Sequence, residues 1–211
     1  MSTATSRRAQ RRALHHDLSR SQLLDAAEEV FGAKGFHDTT LKEIAELAEF
    51  SVGSVYSFFE NKDDLYLHVF LRRGAEFLPG MEAVVAEASG SPRAQLHALV
   101  DYEVGFFREH PHFGRLYLHS AGTLVPGPEL PESETLADNF QRAMDVQADI
   151  FRRGQRKKEL RSGDPVVLAR ILSGLIFGYQ SLDPAVVSDE PVAERLPLDA
   201  LHEIIDGAFA R

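Results

Sequence analysis

Apolar residues recur at helical spacing along most of the chain, and no segment alternates apolar and polar residues as a half-buried strand does. The clearest case is a long amphipathic helix predicted over residues 132–160. Its repeating positions are Leu136, Phe140, Met144, Gln147 and Phe151. Another predicted helix, over residues 166–180, is apolar nearly all round, so a second element must cover it. The pattern predicts an all-α fold of about nine helices.

Two short helices joined by a tight turn are predicted within residues 39–62. Thr40 is a good N-cap for the first helix, and a glutamate three residues later completes a capping box. Ser51 caps the second helix, in which Val55 and Phe58 point the same way. A helix of about two turns is unstable alone in water, so it must lie on its neighbours with its other face free. This arrangement is typical of a helix-turn-helix, which places an exposed helix in the DNA major groove.

Glycine and proline mark the other helix boundaries. A first helix is predicted over residues 18–34, with the glycine that follows as its C-cap. Pro79-Gly80 interrupts the helix that begins after Asn61, and we expect it to kink or end that helix. Residues 122–131 are rich in glycine and proline, which predicts a loop that could form the lip of a pocket.

The composition limits the kinds of site that the chain can carry. The 211 residues suit one or two domains, and 44% hydrophobic residues supply ample material for a core. Cysteine is absent, so the chain has no disulfide, no thiolate metal site and no thiol nucleophile. No apolar run reaches the roughly 18 residues that span a bilayer, and the arginine-rich start lacks the apolar region of a secretory signal. We therefore expect a soluble, cytoplasmic protein that does not contact a membrane.

The net charge of −9 does not by itself favour a nucleic-acid partner, but the charge is unevenly distributed. Residues 1–62 carry eight Lys and Arg against nine Asp and Glu, so −8 of the −9 lies in the remainder. Residues 1–16 are polar and basic, and they predict a flexible arm. The arm is either a solubilising tail or a segment that contacts DNA phosphates or the minor groove. Its cations are Arg7, Arg8, Arg11 and Arg12.

One segment resembles the DNA-binding domain of the TetR/AcrR family of bacterial transcriptional regulators. Its sequence is LLDAAEEVFGAKGFHDTTLKEIAELAEFSVGSVYSFFENKDDLY. The shared features are a helix ending in KGF, a TT-x-x-x-IA helix, and SVGSVY-x-FF followed by NK-x-x-L. The resemblance implies an N-terminal three-helix helix-turn-helix domain and a C-terminal helical domain for ligand binding and dimerisation. We place the arm at residues 1–16, the DNA-binding domain at 17–62 and the second domain at 63–211.

Candidate DNA contacts cluster at the second short helix. Serine hydroxyls can bond bases or phosphates, a valine can touch a thymine methyl, and a glycine lets the backbone come close to the duplex. The resemblance implies phosphate contacts from a capping threonine, a tyrosine and a lysine; for the tyrosine and the lysine the alternatives are a packed side chain and a solvated one. The candidates are Thr40, Ser51, Val52, Gly53, Ser54, Tyr56 and Lys62.

The resemblance also implies that the second domain binds a small molecule. Its aromatic residues as a set suggest a large apolar cavity, although plain core packing is the better explanation for any one of them. The candidates for ligand contacts are Phe106, Phe107, His110, Phe113, Tyr117, Phe140, Met144, Gln147 and Phe151. Nearby histidines lack a spaced carboxylate or thiolate partner, so we expect no metal site and no cofactor.

A symmetric dimer is predicted from the last two long helices. The helix over 166–180 needs a partner surface, and an amphipathic helix closes the chain, so two from each subunit could form a four-helix bundle. The candidate interface residues are Leu172, Gly174, Leu175, Gly178, Ile204 and Phe209. The two helix-turn-helix domains of such a dimer (its reading heads) are linked, so they would bind one palindromic operator in double-stranded DNA with a high effective concentration.

These features together predict a ligand-responsive transcriptional repressor that acts as a homodimer and is released by a small apolar effector. Two alternatives belong to other classes. A DNA-binding protein without an effector would have a filled core. A helical enzyme would need a catalytic triad, a phosphate loop, paired carboxylates or metal-ligand spacing, and the sequence has none of these. We therefore do not expect an enzyme.

Overall fold

The structure is a computed structural model that describes residues 2–88, 90–120, 133–188 and 194–211. The described residues form ten helices and no strand, with one isolated bridge between Leu160 and Ala210. The all-α prediction is confirmed, with one helix more than predicted. The helices are α1 Ser2–Lys34, α2 Leu41–Leu47, α3 Val52–Val55, α4 Lys62–Glu87, α5 Pro92–Glu109, α6 Pro111–His119, α7 Ser133–Arg156, α8 Pro165–Gln180, α9 Pro184–Val187 and α10 Leu198–Phe209. The predicted loop at 122–131 lies outside the described residues.

Helix α1 begins at Ser2, so residues 2–16 are helical where the sequence predicted a flexible arm. This segment contains alanine, arginine, glutamine and leucine, which favour helix, and it has no glycine or proline to interrupt it. The charged composition that suggested disorder is therefore carried on a regular helix. Gly35, at φ 77°, ends α1 as predicted, and its N–H donates to the carbonyl of Phe31.

The turn between α2 and α3 is held by local hydrogen bonds. The capping box of α2 is present, and the Lys34 ammonium together with these cap bonds lowers the pKa of Glu43 to about 2. Glu49 has a left-handed φ of 61° in the turn, and the next residue, Phe50, donates its N–H to the carbonyl of Ala45. The Ser51 hydroxyl caps α3 as predicted, although α3 itself is only four residues long. Local hydrogen bonds thus fix the orientation of α3 relative to α2.

Helix α4 runs unbroken through Pro79, where the sequence predicted a kink or an end. The phenol of Tyr102, on α5, donates a hydrogen bond of 2.9 Å to the carbonyl of Phe77 just before the proline. This bond ties α5 to α4 beside the proline; the carbonyl that Pro79 leaves without a helical donor is that of Ala75, four residues before it. Gly80 allows this approach, because a Cβ at that position would lie 2.1 Å from the Tyr102 oxygen. The continuous α4 links residue 62 to residue 87 as one rod.

The first core cluster extends across the predicted boundary between the two domains. It joins buried residues of α1 to α4 with Phe107 of α5 and Phe113 and Leu116 of α6. Helix α6 lies so close to α1 that a Cβ on Gly32 would be 2.4 Å from the carbonyl oxygen of His112. A second cluster is formed by the end of α4 with α5, α7, α8 and α10. The predicted division at residues 62 and 63 therefore remains a proposal, since packing continues across it.

A buried ion pair fastens the segment after α8. Asp183 is fully buried, and its Oδ2 accepts a hydrogen bond of 2.7 Å from the Arg108 Nε on α5. Its Oδ1 accepts from the backbone N–H groups of Ala185 and Leu196.

Within the described part of the chain, no helix is long and apolar enough to cross a membrane.

Candidate nucleic-acid interface and effector cavity

Helix α3 presents a small apolar and aromatic surface to solvent. Val55 is fully buried beneath it, whereas Val52 and Tyr56 are 36% and 56% exposed. Gly53 is also exposed, and a Cβ placed there would meet only the Ser51 hydroxyl, 3.8 Å away. The backbone of this turn is therefore open to a close approach by another molecule, as the proposed interface needs. Phe59, which the sequence analysis did not name, is the second buried support of this segment.

The hydroxyl groups around α3 are already engaged in capping. Ser51 Oγ accepts the N–H of Ser54 at 3.0 Å and lies 2.7 Å from Ser54 Oγ. The Thr40 hydroxyl donates to the Glu43 carboxylate, whose other contacts hold the start of α2. These side chains therefore shape the helix starts, and a helix start also presents N–H groups to anions.

The structure gives Lys62 a role that the sequence analysis did not predict. Its Nζ donates to the carbonyls of Phe36 and Thr39, at 2.8 and 2.9 Å, and lies 4.3 Å from the centre of the Phe36 ring. The ammonium group thus closes the turn between α1 and α2. This geometry argues against the predicted phosphate contact, because the lysine donors point into the protein.

The basic segment of α1 lies at one end of the helix-turn-helix. The His16 ring is 4.8 Å from that of Phe58, and the Arg20 guanidinium lies 5.2 Å over the Phe59 ring. The helix continues from there through Arg12, Arg11 and Arg7, all exposed. The side chain of Arg8 lies outside the described part. The arginines therefore extend along a helix that packs on the residues directly after α3.

A cavity of about 790 Å³, including its open mouth, lies between α4, α5, α6, α7 and α8. Six of the nine predicted ligand residues line it: Phe107, Phe113, Tyr117, Phe140, Met144 and Gln147. They reach the cavity because each lies on the inward face of its helix, and their contact with a ligand stays a prediction. The aromatic and aliphatic walls suit a small apolar ligand.

The other three predicted ligand residues do not line the cavity. Phe151 is fully buried in the second core cluster, edge-on to Phe209. Phe106 packs against Phe77 and His110. The ring of His110 instead lies beside Glu76, and burial together with the charge of Arg73 lowers the pKa of this histidine. An inward aromatic position therefore did not distinguish cavity wall from core.

The cavity also has polar residues that the sequence analysis missed. They come from four helices and are Arg73, Glu103, Asn139, Ser173 and Gln180. An arginine and a glutamate on otherwise amphipathic helices look like solvated residues, so no signal in the sequence marked them. Their burial is set by partners distant in the chain.

Arg73 connects the cavity wall to α1. Its Nε and Nη2 donate to the two carboxylate oxygens of Glu28 at 2.8 and 2.9 Å, and its Nη1 donates to Glu76 at 2.7 Å. Arg72 adds a bond of 2.8 Å to the same Glu28. Glu28 is 5% exposed, so two arginines of α4 hold one buried carboxylate of α1. Partly buried, bidentate pairs of this kind are geometrically specific.

Glu103 is the second charged-type residue of the cavity. Its Oε1 accepts a hydrogen bond of 3.2 Å from the Gln147 Nε2, and the Gln147 Oε1 accepts one of 3.0 Å from the Ser173 hydroxyl. The carboxyl group is 7% exposed, and burial raises its pKa to about 8. It is therefore mostly protonated at neutral pH.

The candidate dimer surface divides into exposed and buried residues. Val167, Ile171 and Ile204 are 50%, 49% and 55% exposed, and Gly174 and Gly178 continue the same stripe of α8 with open space above them. Leu172 and Phe209 were predicted at this interface, but both are buried in their own subunit. These two residues therefore face the core of their own subunit, and an interface formed by α8 and α10 stays a prediction.

The sequence and fold match known proteins over most of the chain. Residues 23–69 match the family model described as bacterial regulatory proteins, tetR family, and residues 92–186 match that of the tetracyclin repressor-like C-terminal domain. The fatty acid metabolism regulator protein of Bacillus subtilis is 25% identical over 162 residues, covering 74% of this chain and 77% of that protein. The transcriptional repressor NicS of Pseudomonas putida is 26% identical over 171 residues, covering 81% and 79%.

A solved structure has the same fold. The structure of AibR in complex with isovaleryl coenzyme A and operator DNA superposes with a TM-score of 0.74 at 16% identity, covering 90% of this chain and 98% of that one. The two family models match both the helix-turn-helix and the helical second part, and the relatives are transcriptional regulators rather than enzymes. The chain belongs to the TetR/AcrR family of bacterial transcriptional regulators.

Proposed function

We propose that this protein is a dimeric repressor of operator DNA that is released when an apolar effector enters the cavity. The observation that carries the proposal is the double role of α4. Arg73 and its neighbours on α4 line the cavity, and the same Arg73 holds Glu28 of α1, the first helix of the reading head. A ligand that moves this wall therefore acts directly on the support of α3.

The cavity also favours an effector over the alternative without one. A regulator without a ligand would fill this space with its own side chains, because empty volume costs contact energy. Acyl-coenzyme A thioesters are the first candidates, since AibR was solved with isovaleryl coenzyme A and a relative is a fatty acid metabolism regulator. The apolar aromatic lining suits the acyl chain, and the open mouth would accommodate the larger polar part outside.

The DNA-binding part of the proposal rests on exposure and pairing. Tyr56, Val52 and the open backbone at Gly53 form the reading surface, and Arg7, Arg11 and Arg12 lie on the extension of α1 beside it. The exposed stripe of Val167, Ile171, Gly174 and Gly178 provides the dimer contact with α10. Two heads then bind one palindrome, which compensates for the small surface of each. Action on chromosomal DNA places this function in the cytoplasm.

The test is an operator selection followed by an effector titration. Duplexes bound from a random pool are sequenced, and the palindrome is labelled with fluorescein for anisotropy at a fixed salt concentration. Saturated acyl-coenzyme A thioesters of increasing chain length should release the protein from the labelled duplex. A non-palindromic selected site would contradict the dimer model, and tighter DNA binding with ligand would contradict release by the effector.

A cavity-filling variant is the matched control. Ala143 lines the cavity, so Ala143→Phe should occupy it while leaving α3 untouched. This variant should bind the operator as tightly as the wild type and lose most of its response to thioesters. If Ala143→Phe and wild type respond equally, the effector acts somewhere other than this cavity.

A further inference from the structure

Glu103 is a hydrogen-bonding group placed inside an apolar cavity. It lies on α5 four residues before Phe107, so both side chains face the space enclosed by α4, α6, α7 and α8. Only 7% of the residue is exposed. Burying a polar group costs free energy unless the group has a hydrogen-bond partner. The hydrogen-bonding atom of Glu103 that has no partner therefore indicates which group a ligand should supply.

Only one oxygen of Glu103 has a protein partner among the described residues. Its Oε1 accepts from the Gln147 Nε2, whereas no described side chain bonds to its Oε2. The amide of Gln147 lies between the two groups, with its N–H on Glu103 Oε1 and its oxygen on the Ser173 hydroxyl. In this network Oε1 of Glu103 is the acceptor, and Oε2 is left for another molecule.

No cation in the described structure neutralises Glu103. Arg73 lines the same cavity, but its donors are taken by Glu28 and Glu76. A buried carboxyl group without a cation keeps its proton, in agreement with a pKa raised to about 8 by burial. With Oε1 accepting, the proton belongs on Oε2. The group that faces the ligand is thus an O–H donor.

We propose that the Oε2 hydroxyl of Glu103 anchors the effector, and that the effector is uncharged there, with a carbonyl oxygen set in an apolar frame. This rests on the proposed function and defines its ligand more narrowly. A cationic group would need Glu103 to give up its proton and would also lose its own hydration on entering the cavity. A purely hydrocarbon ligand would leave the O–H donor unpaired. A thioester carbonyl meets the requirement, and so does a ketone.

The experiment uses three probes of matched shape: tetralin, 1-tetralone and 1-aminotetralin. Their dissociation constants from the full-length protein are measured by ligand-observed NMR at pH 7. The decisive quantity is the ratio of the tetralin constant to the tetralone constant. One neutral hydrogen bond changes such a ratio by about 3- to 10-fold. We expect the ratio to fall by that factor in Glu103→Met, which keeps the bulk, and to persist in Glu103→Gln, whose N–H can donate.

A direct measurement covers the case in which Glu103→Met does not fold. Tetralone labelled with ¹³C at its carbonyl should show a downfield carbonyl shift when bound to the wild type, since hydrogen bonding deshields that carbon. The inference is overturned if this shift is absent, if the ratio is the same in wild type and Glu103→Met, or if the amine binds more tightly than the ketone. In those cases the proposal that an effector binds in this cavity is unaffected. If no probe binds the wild type, both the anchor and the effector cavity are overturned.

Discussion

The neutral state of Glu103 makes the stability of the protein depend on pH, and Glu103→Gln is the change that isolates this dependence. Burial raises the pKa of Glu103 from an ordinary value near 4.5 to about 8. Because the folded state holds this proton more tightly than the unfolded chain, the contribution is fully present below pH 4.5. It is lost as the pH rises through about 8. Glutamine keeps the acceptor for Gln147 and has no proton to lose.

The magnitude follows from the size of the pKa shift. One pKa unit corresponds to about 1.4 kcal/mol, so the free energy of unfolding of the wild type should fall by that amount per pH unit across this range, relative to Glu103→Gln. The difference reaches about 3 kcal/mol at pH 7 and approaches about 5 kcal/mol above pH 8. This is a large part of the roughly 5–15 kcal/mol that stabilises a typical domain.

The assay is urea denaturation of both proteins at half-unit steps from pH 4 to pH 9, followed by far-ultraviolet circular dichroism. The quantity of interest is the variant minus the wild type, which cancels the other titrating groups. Glu109→Gln is the matched control, because this glutamate lies on the same helix and is exposed. It controls for the loss of one glutamate charge from α5 at an exposed position. Parallel pH profiles for wild type and Glu103→Gln would refute the conclusion that Glu103 is buried and neutral.

Three further predictions concern the other surfaces. Tyr56→Phe should weaken operator binding by about 3- to 10-fold in fluorescence anisotropy with unchanged urea stability, and unaltered affinity would remove Tyr56 from the interface. Ile171→Asp should halve the mass seen by sedimentation velocity while the fold remains, because its side chain is half exposed; an unchanged dimer mass would place the interface elsewhere. Gly80→Ala should cost about 1–3 kcal/mol of urea stability through its clash with Tyr102, and wild-type stability would show that α4 and α5 can separate there.

The helix-turn-helix could be predicted in detail because its determinants are local. The capping pairs of α2 and α3 join residues three apart, and the structure shows both where the sequence placed them. The extension of α1 was missed because charge was taken as a sign of disorder, although alanine and arginine favour helix. The carbonyl contacts of Lys62 were not predicted, because its partners lie 23 and 26 residues away in the chain.

The cavity could be predicted only in part, for a related reason. Helical spacing identifies an inward face, and it found six of the lining residues. It cannot tell an inward residue that meets a neighbour from one that meets a space, so Phe151 was placed in the cavity although it packs on Phe209. Arg73 and Glu103 escaped notice because their partners, Glu28 and Gln147, are 45 and 44 residues distant. Which charged residues are buried is decided by the assembled fold.

The pairing of Arg73 with Glu28 explains how a cavity in one part of the chain can control a helix in another. A buried carboxylate held by two arginines has few alternative arrangements, because leaving it unpaired is strongly unfavourable. Under the proposed function, a ligand that presses on α4 moves α1 together with it or breaks the pair, and we expect a movement of α1 to displace α3. Since such coupling is reciprocal in free energy, operator DNA that holds α3 in place must weaken effector binding by the same factor. The effector can then shift the equilibrium only by the difference between its affinities for the two positions of α4.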